Sequence, residues 1–403
     1  MISSEGIRYS MRNIWSRKVR SFLTILSIFL GIATIFIFVS FGLGLYAYVN
    51  SFIEGGSADK ILVQAKGSMG VPGLDGAFAL TDSDVRATKR AGGVYEASGV
   101  YMKIALAKAN NEKRYVYLSG YDPKITLIVE LIDVDIYTGR GLRPGDMKEV
   151  VLGYNYMLDN KIFSKGLRIN DEIVVQDMEM KVVGFYESTG NPQDDSNIYV
   201  SEDAVSELYP NDTDSYGWII GRVDSDNIDW VVENVERELR SSRDVERGEE
   251  DFSVQSFVDM IESYTGTMDI IIGFVILIAL ISIIVSAINT ANTMITSVIE
   301  RTREIGVIKS IGGKNSEVFG IFLFESAFLG FVAGTIGVFL GWSISYFAGR
   351  ILDGLGWGFL EPVFPSYLFG SLILFAVLTG AVSGVIPAWN ASRTNIVRAL
   401  RYE

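Results

Sequence analysis

Residues 22–50, 270–299 and 366–392 contain no charged side chain, and residues 318–349 contain only Glu325. About 20 consecutive apolar residues cross a hydrocarbon core of roughly 30 Å, so each run is long enough to span a bilayer with some tilt. A chain that crosses lipid must satisfy its own backbone hydrogen bonds, which makes these runs helices. The apolar core of the first run is about twice the roughly 7–15 residues of a secretory signal, and no small-x-small cleavage site follows it. It therefore reads as a retained span. A hydrophobic share of 49% is too high for an ordinary soluble protein and fits four such helices around one water-exposed region.

Charge sets the expected orientation. Residues 1–21 hold Arg8, Arg12, Arg17, Lys18 and Arg20 against Glu5, and the tail holds Arg393, Arg398 and Arg401 against Glu403. The segment 300–317 holds Arg301, Arg303, Lys309 and Lys314 against Glu300, Glu304 and Glu317. Short Lys/Arg-rich segments stay in the cytoplasm, so both termini and this loop are expected inside a cell membrane and residues 51–269 mostly outside. That outer stretch is strongly acidic, with 40 Asp/Glu against 22 Lys/Arg, which argues against nucleic acid as a partner. The chain has no Cys, so the outer domain must fold on a packed core without disulfides.

The expected order is a cytoplasmic interfacial helix (1–21), a first span (22–50) and an extracytoplasmic α+β domain with a stalk (51–265). The second span (266–299), a cytoplasmic coupling helix (300–317), the third span (318–349), a short outer loop (350–365), the fourth span (366–389) and a cytoplasmic tail (390–403) follow. In the first segment Ile7, Met11, Ile14 and Trp15 recur at helical spacing beside lipid-facing cations. In the outer domain, 60–66, 115–119 and 149–152 read as strands, and 171–176 with 180–186 as a hairpin across Asp177–Glu179. Residues 201–208 and 226–240 read as helices, and 67–76 and 189–196 as loops. From Ser256 a helical pattern runs unbroken into the second span, giving a helix of about 40 residues and some 60 Å that would act as a stalk; a hinge near Gly266 is the competing reading.

The absence of His as well as Cys removes zinc sites of those ligands, His-dependent triads and thiol nucleophiles. Gly312-Gly313-Lys314-Asn315 fails as a phosphate loop, because Ile308 stands where the first Gly is required and Asn315 where Ser or Thr is. No catalytic, metal or cofactor-binding residue is expected. Within the spans, Gly330, Gly334, Gly337 and Gly341 form Gly-x-x-x-Gly pairs suited to close helix packing. Asn289 and Asn292, with Thr293 and Thr296, form a polar stripe suited to helix–helix hydrogen bonds. Glu325 either reaches the interface or is a buried carboxylate with a role.

Three stretches resemble the MacB/FtsX type of ABC transporter permease: residues 13–32 (NIWSRKVRSFLTILSIFLGI), 300–313 (ERTREIGVIKSIGG) with 322–325 (FLFE), and 387–403 (PAWNASRTNIVRALRYE). The 1 + 3 order of spans around a large outer domain fits as well. Macrolide exporters of that family carry a fused ATPase domain ahead of the first span, where only some 21 residues stand here. The resemblance implies a separate ATPase subunit that binds ATP and Mg in trans. It also implies a homodimer or paired permease, an outer accessory protein, and action on a peptide, lipid-linked or amphiphilic substrate. A mechanical regulator of an envelope hydrolase and a ligand-binding membrane sensor are the alternatives. Ile305, Ile308 and Ile311 at i, i+3, i+6, flanked by Arg301, Glu304 and Lys309, would form an ATPase-docking helix. Gly312 and Gly313 would end it, and Asn315 would cap the next span.

Overall fold

The computed structural model describes residues 18–54, 57–66, 79–210, 212, 215–396 and 399. The interfacial helix expected over 1–21 and the loop at 67–76 lie outside the described residues, apart from the helix's last few positions. The described chain divides into two compact units. One comprises 45–266 with 351–361, and the other comprises the remaining residues on either side.

The first unit is an α+β domain built on a sheet that pairs β1 (Lys60–Ala65), β2 (Val94–Ala109), β3 (Glu112–Tyr121), β4 (Ile136–Gly139) and β5 (Glu149–Leu152) with five later strands. These are β6 (Glu172–Val175), β7 (Met178–Tyr186), β8 (Ile198–Ser201), β9 (Trp218–Val223) and β10 (Phe252–Ser256). The strand order is β10-β1-β9-β2-β3-β8-β5-β7-β4, with β6 against β2 and β7. The long β2 joins two halves: its first half pairs with β9 and its second half with β3. Most pairs are antiparallel, but β3 with β8 and β5 with β7 are parallel.

Side chains alternate between two cores, as the period of two requires. Ile61, Val63, Val150 and Leu152 enter one core, while Leu62, Val100 and Val151 enter the other. The amphipathic α5 (Ile228–Arg243) supplies Val231, Val235 and Leu239 to the first core, and α2 (Asp82–Arg90) supplies Ala87. The short α3 (Leu127–Leu131) covers the second face. A further short helix, α4 (Glu202–Leu208), is N-capped by Ser201, whose hydroxyl accepts from the Ala204 amide.

The β6–β7 hairpin turns one position earlier than its composition suggested. Val175 pairs with Met178, so the loop is Gln176–Asp177, both at positive φ. Such two-residue turns match strand twist best with both central residues left-handed. The second positive-φ pair, Asn110 and Asn111, makes the β2–β3 hairpin the same way.

Among the described residues, four helices are long and apolar enough to cross a membrane. They are α1 (Lys18–Glu54), α6 (Phe257–Glu300), α8 (Asn315–Leu355) and α9 (Ser366–Ser392). A fifth, the short α7 (Thr302–Ser310), lies between α6 and α8. Most of these helices overrun their charge-free cores, because helical hydrogen bonding does not stop where hydrophobicity does. The 44 residues of α6 amount to about 66 Å.

Candidate functional site

The segment singled out by its charges is α7 with its two flanking turns. Arg301 ends α6 and precedes α7: its amide donates to Ser297 O and Val298 O, and its own carbonyl accepts from the Ile305 amide. The C-terminal end is a Schellman motif. Gly312 lies at φ 99°, the Gly313 amide donates to Ile308 O at 3.0 Å, and the Gly312 amide donates to Lys309 O at 3.2 Å. Asn315 does not cap α8 from outside, since it is the first helical residue. Glu317 caps it instead, accepting from the Lys314 amide at 3.1 Å.

The isoleucine ridge divides between two environments. Ile305 is 2% exposed and packs with Met294, Val298, Val318, Phe322, Ala388 and Ala391, with Ile308 partly buried against the same cluster. Ile311 is 81% exposed. Ile305 and Ile308 are therefore committed to the chain's own core, which corrects the expectation of a continuous docking ridge. The outward stripe is Arg303, Val307 and Ile311, at i, i+4, i+8, beside Glu304 and Ser310. Nothing but this spacing would have found it in the sequence, and the isoleucines obscured it.

Arg301 and Lys309 also turn inward. The Arg301 guanidinium donates through Nη1 to Glu325 Oε2 and through Nε to Glu304 Oε2, both at 3.0 Å, and lies 5.0 Å from the Phe322 ring centroid. Glu325 is thus a buried, ion-paired carboxylate on α8. Removing one partner of such a buried pair costs about 3–5 kcal/mol, because the other is left desolvated and uncompensated. Lys309 Nζ donates to Ser392 O and Thr394 O, at 2.9 and 2.8 Å, satisfying carbonyls at the end of α9.

The four Gly-x-x-x-Gly glycines of α8 serve two neighbours. A Cβ at Gly330 or Gly334 would strike α9 at Ala376, and one at Gly337 or Gly341 would strike α1 near Phe29, Ile32, Ala33 and Phe36. From the α9 side, Gly380 and Gly384 lie against Ser326 and Gly330. Backbones approach this closely only where side chains are missing, which is how small residues stabilise packing in lipid. The polar stripe is placed differently. Asn289 and Asn292 are exposed on α6, with Asn289 Nδ2 3.4 Å from Ser27 Oγ. The Thr293 and Thr296 hydroxyls donate to the carbonyls of Asn289 and Asn292 on their own helix.

The match that decides the family covers more than half of the chain: the MacB-like periplasmic core domain over residues 21–240. The FtsX-like permease C-terminal model matches 268–396. The chain belongs to the MacB/FtsX-type ABC transporter permeases. In this permease the second match contains all of α7, α8 and α9. An uncharacterised ABC transporter permease of Methanocaldococcus jannaschii is 28% identical over 98% of both chains. The uncharacterised ABC transporter permease YknZ of Bacillus subtilis is 23% identical over 99% of both. The macrolide export ATP-binding/permease protein MacB of Wolinella succinogenes is 25% identical, over 99% of this permease and 61% of that protein. The periplasmic region of MacB from Actinobacillus actinomycetemcomitans superposes on 53% of the permease with a TM-score of 0.43 and 15% identity.

Proposed function

We propose that the permease is the membrane subunit of an ABC-type export or extraction complex whose ATPase is a separate chain, binding ATP and Mg itself and docking on the outward face of α7. The observation that carries this reading is the combination of an exposed Arg303–Val307–Ile311 stripe with a helix whose opposite face is fixed to α8 and α9. A short helix with apolar and charged side chains on its free face suits a groove on a partner. Closure of the ATPase on nucleotide would displace α7, and the unbroken α6 would carry that motion into the outer domain. Coupling of this kind requires α7 to bind the ATPase differently in two states.

By the distribution of Lys and Arg, both termini and α7 face the cytoplasm, and the α+β domain lies outside. The exposed apolar face of α6, with Ile281, Ile284, Val285 and Ile288, carries Asn292 and Thr296 further along. A polar stripe facing lipid supports pairing of α6 with a second permease subunit. An outer accessory protein, and a peptide, lipid-linked or amphiphilic substrate, complete the reading by family likeness.

The test replaces Val307 and Ile311 together with Glu. Co-purification of the ATPase should fall by about tenfold or more, since two apolar contacts are exchanged for desolvated charges. Capture at the wild-type level would contradict the docking face.

A further inference from the structure

Two side-chain connections join α7 to its neighbours in addition to its chain links. At its C-terminal side the link to α8 is Ile311, Gly312, Gly313 and Lys314, with Gly312 at φ 99°. The two glycines add no side chain to this link. At its N-terminal side the covalent link to α6 is the single turn at Arg301. Side chains add connections that the backbone does not make. Arg301 binds Glu304 on α7 and Glu325 on α8 and rests on Phe322 of α8, while Lys309 binds the carbonyls of Ser392, the last residue of α9, and Thr394 just after it.

We propose that Glu325, through Arg301, and Lys309 are positioning residues that mount α7 at two points, so that a load on α7 enters α8 and α9 as well as α6. Neither residue contributes to the outward stripe. Glu325 is 6% exposed and Arg301 4%, so their attraction is little screened and their geometry is held by packing on every side. Charged hydrogen bonds at 2.8–3.0 Å onto fixed acceptors resist displacement where a solvated lysine would swing. The glycine-mediated contact of α8 with both α9 and α1 then spreads the load through the membrane unit. Where load enters matters only if α7 is the docking helix, so this inference rests on that reading.

The experiment is hydrogen exchange on the full-length permease in lipid nanodiscs, alone and with its ATPase, in the wild type and in E325Q, R301E, E325R, K309M and the reversed pair R301E/E325R. Without the ATPase, E325Q should raise exchange of the α7 amides by about tenfold while α8 and α9 stay within about twofold, as expected for loss of a local tether. K309M should do the same at the C-terminal half of α7, and the reversed pair should restore protection that R301E and E325R each lose. With the ATPase and nucleotide, E325Q should lose the exchange response of α8 while α6 still responds. The mount is overturned if α7 exchange does not change, if all the helices lose protection together, or if the reversed pair is no better than its single variants. Failure of the wild type to capture the ATPase would instead overturn the docking reading, and the exchange of α7 in the permease alone would still judge the mount.

Discussion

Asp194 and Asp195 open the 3-10 turn Asp194–Ser196 of the outer domain, and they are held in different ways. The Asp195 carboxylate accepts from Ser188 Oγ at 2.6 Å and from the Thr189 amide at 2.8 Å. Asp194 accepts from Asn191 Nδ2 at 2.8 Å, and burial, then the neighbouring Asp195 charge, push its pKa up to about 6. A carboxyl with a raised native pKa binds its proton more tightly folded than unfolded. Stability therefore falls as pH rises between about 4 and about 6, then levels off. Asp194→Asn keeps the acceptor oxygen and removes the charge. It should stabilise the outer domain by about 2 kcal/mol at pH 7.5 and have little effect near pH 4, read as thermal unfolding across pH. A stabilisation that grew on acidification would show that the raised pKa is wrong. Elsewhere in the outer domain, the Phe359 amide donates to Gly190 O at 3.1 Å, and Lys161 Nζ donates to Gly354 O at 2.9 Å. These contacts tie residues 351–361 to the outer domain, although they connect two membrane helices in sequence.

At the scale of elements, the stalk reading has a sharp consequence at Gly266. The residue lies inside α6, and a Cβ added there meets nothing within 4 Å. Gly266→Ala should be tolerated and should stiffen the helix by up to about 1 kcal/mol of propensity. Gly266→Pro removes one helical hydrogen bond and forces a kink, costing about 3 kcal/mol. Its ATPase should still bind and hydrolyse ATP, but nucleotide-dependent distance changes between spin labels in the outer domain should disappear. Persistence of those changes would show that force reaches the domain by another route. The membrane helices were legible because lipid imposes a long, charge-free signature that no packing detail can hide. The strand Val94–Ala109 was not, since Ala97, Ser98 and Gly99 are weak strand formers and the stretch Ala97–Lys103 is buried without a polar alternation. Gly99 is there because Tyr216 lies where a Cβ would project, a fact only the folded sheet reveals. The two faces of α7 were misjudged for a similar reason. Helical spacing groups Ile305 with Ile308, but only the position of α8 and α9 decides which stripe is inward.

The whole molecule joins an acidic α+β domain, membrane helices that run on beyond their apolar cores, and a short helix, α7, held to the membrane unit by Glu325, through Arg301, and Lys309. The composition excluded His- and Cys-dependent chemistry from the start. What it did not disclose was that most of the charge in the 300–317 segment is used inside the chain. Arg301 and Lys309 bind within the chain, which leaves Arg303, Val307 and Ile311 exposed as the docking face we propose. The most direct measurement places a photo-crosslinking amino acid at Ile311 in the full-length permease, irradiates native membranes, and identifies the adduct by mass spectrometry. The account predicts one dominant adduct with a separate chain bearing an ATP-binding cassette. Adducts with lipid alone, or with an outer protein, would contradict it.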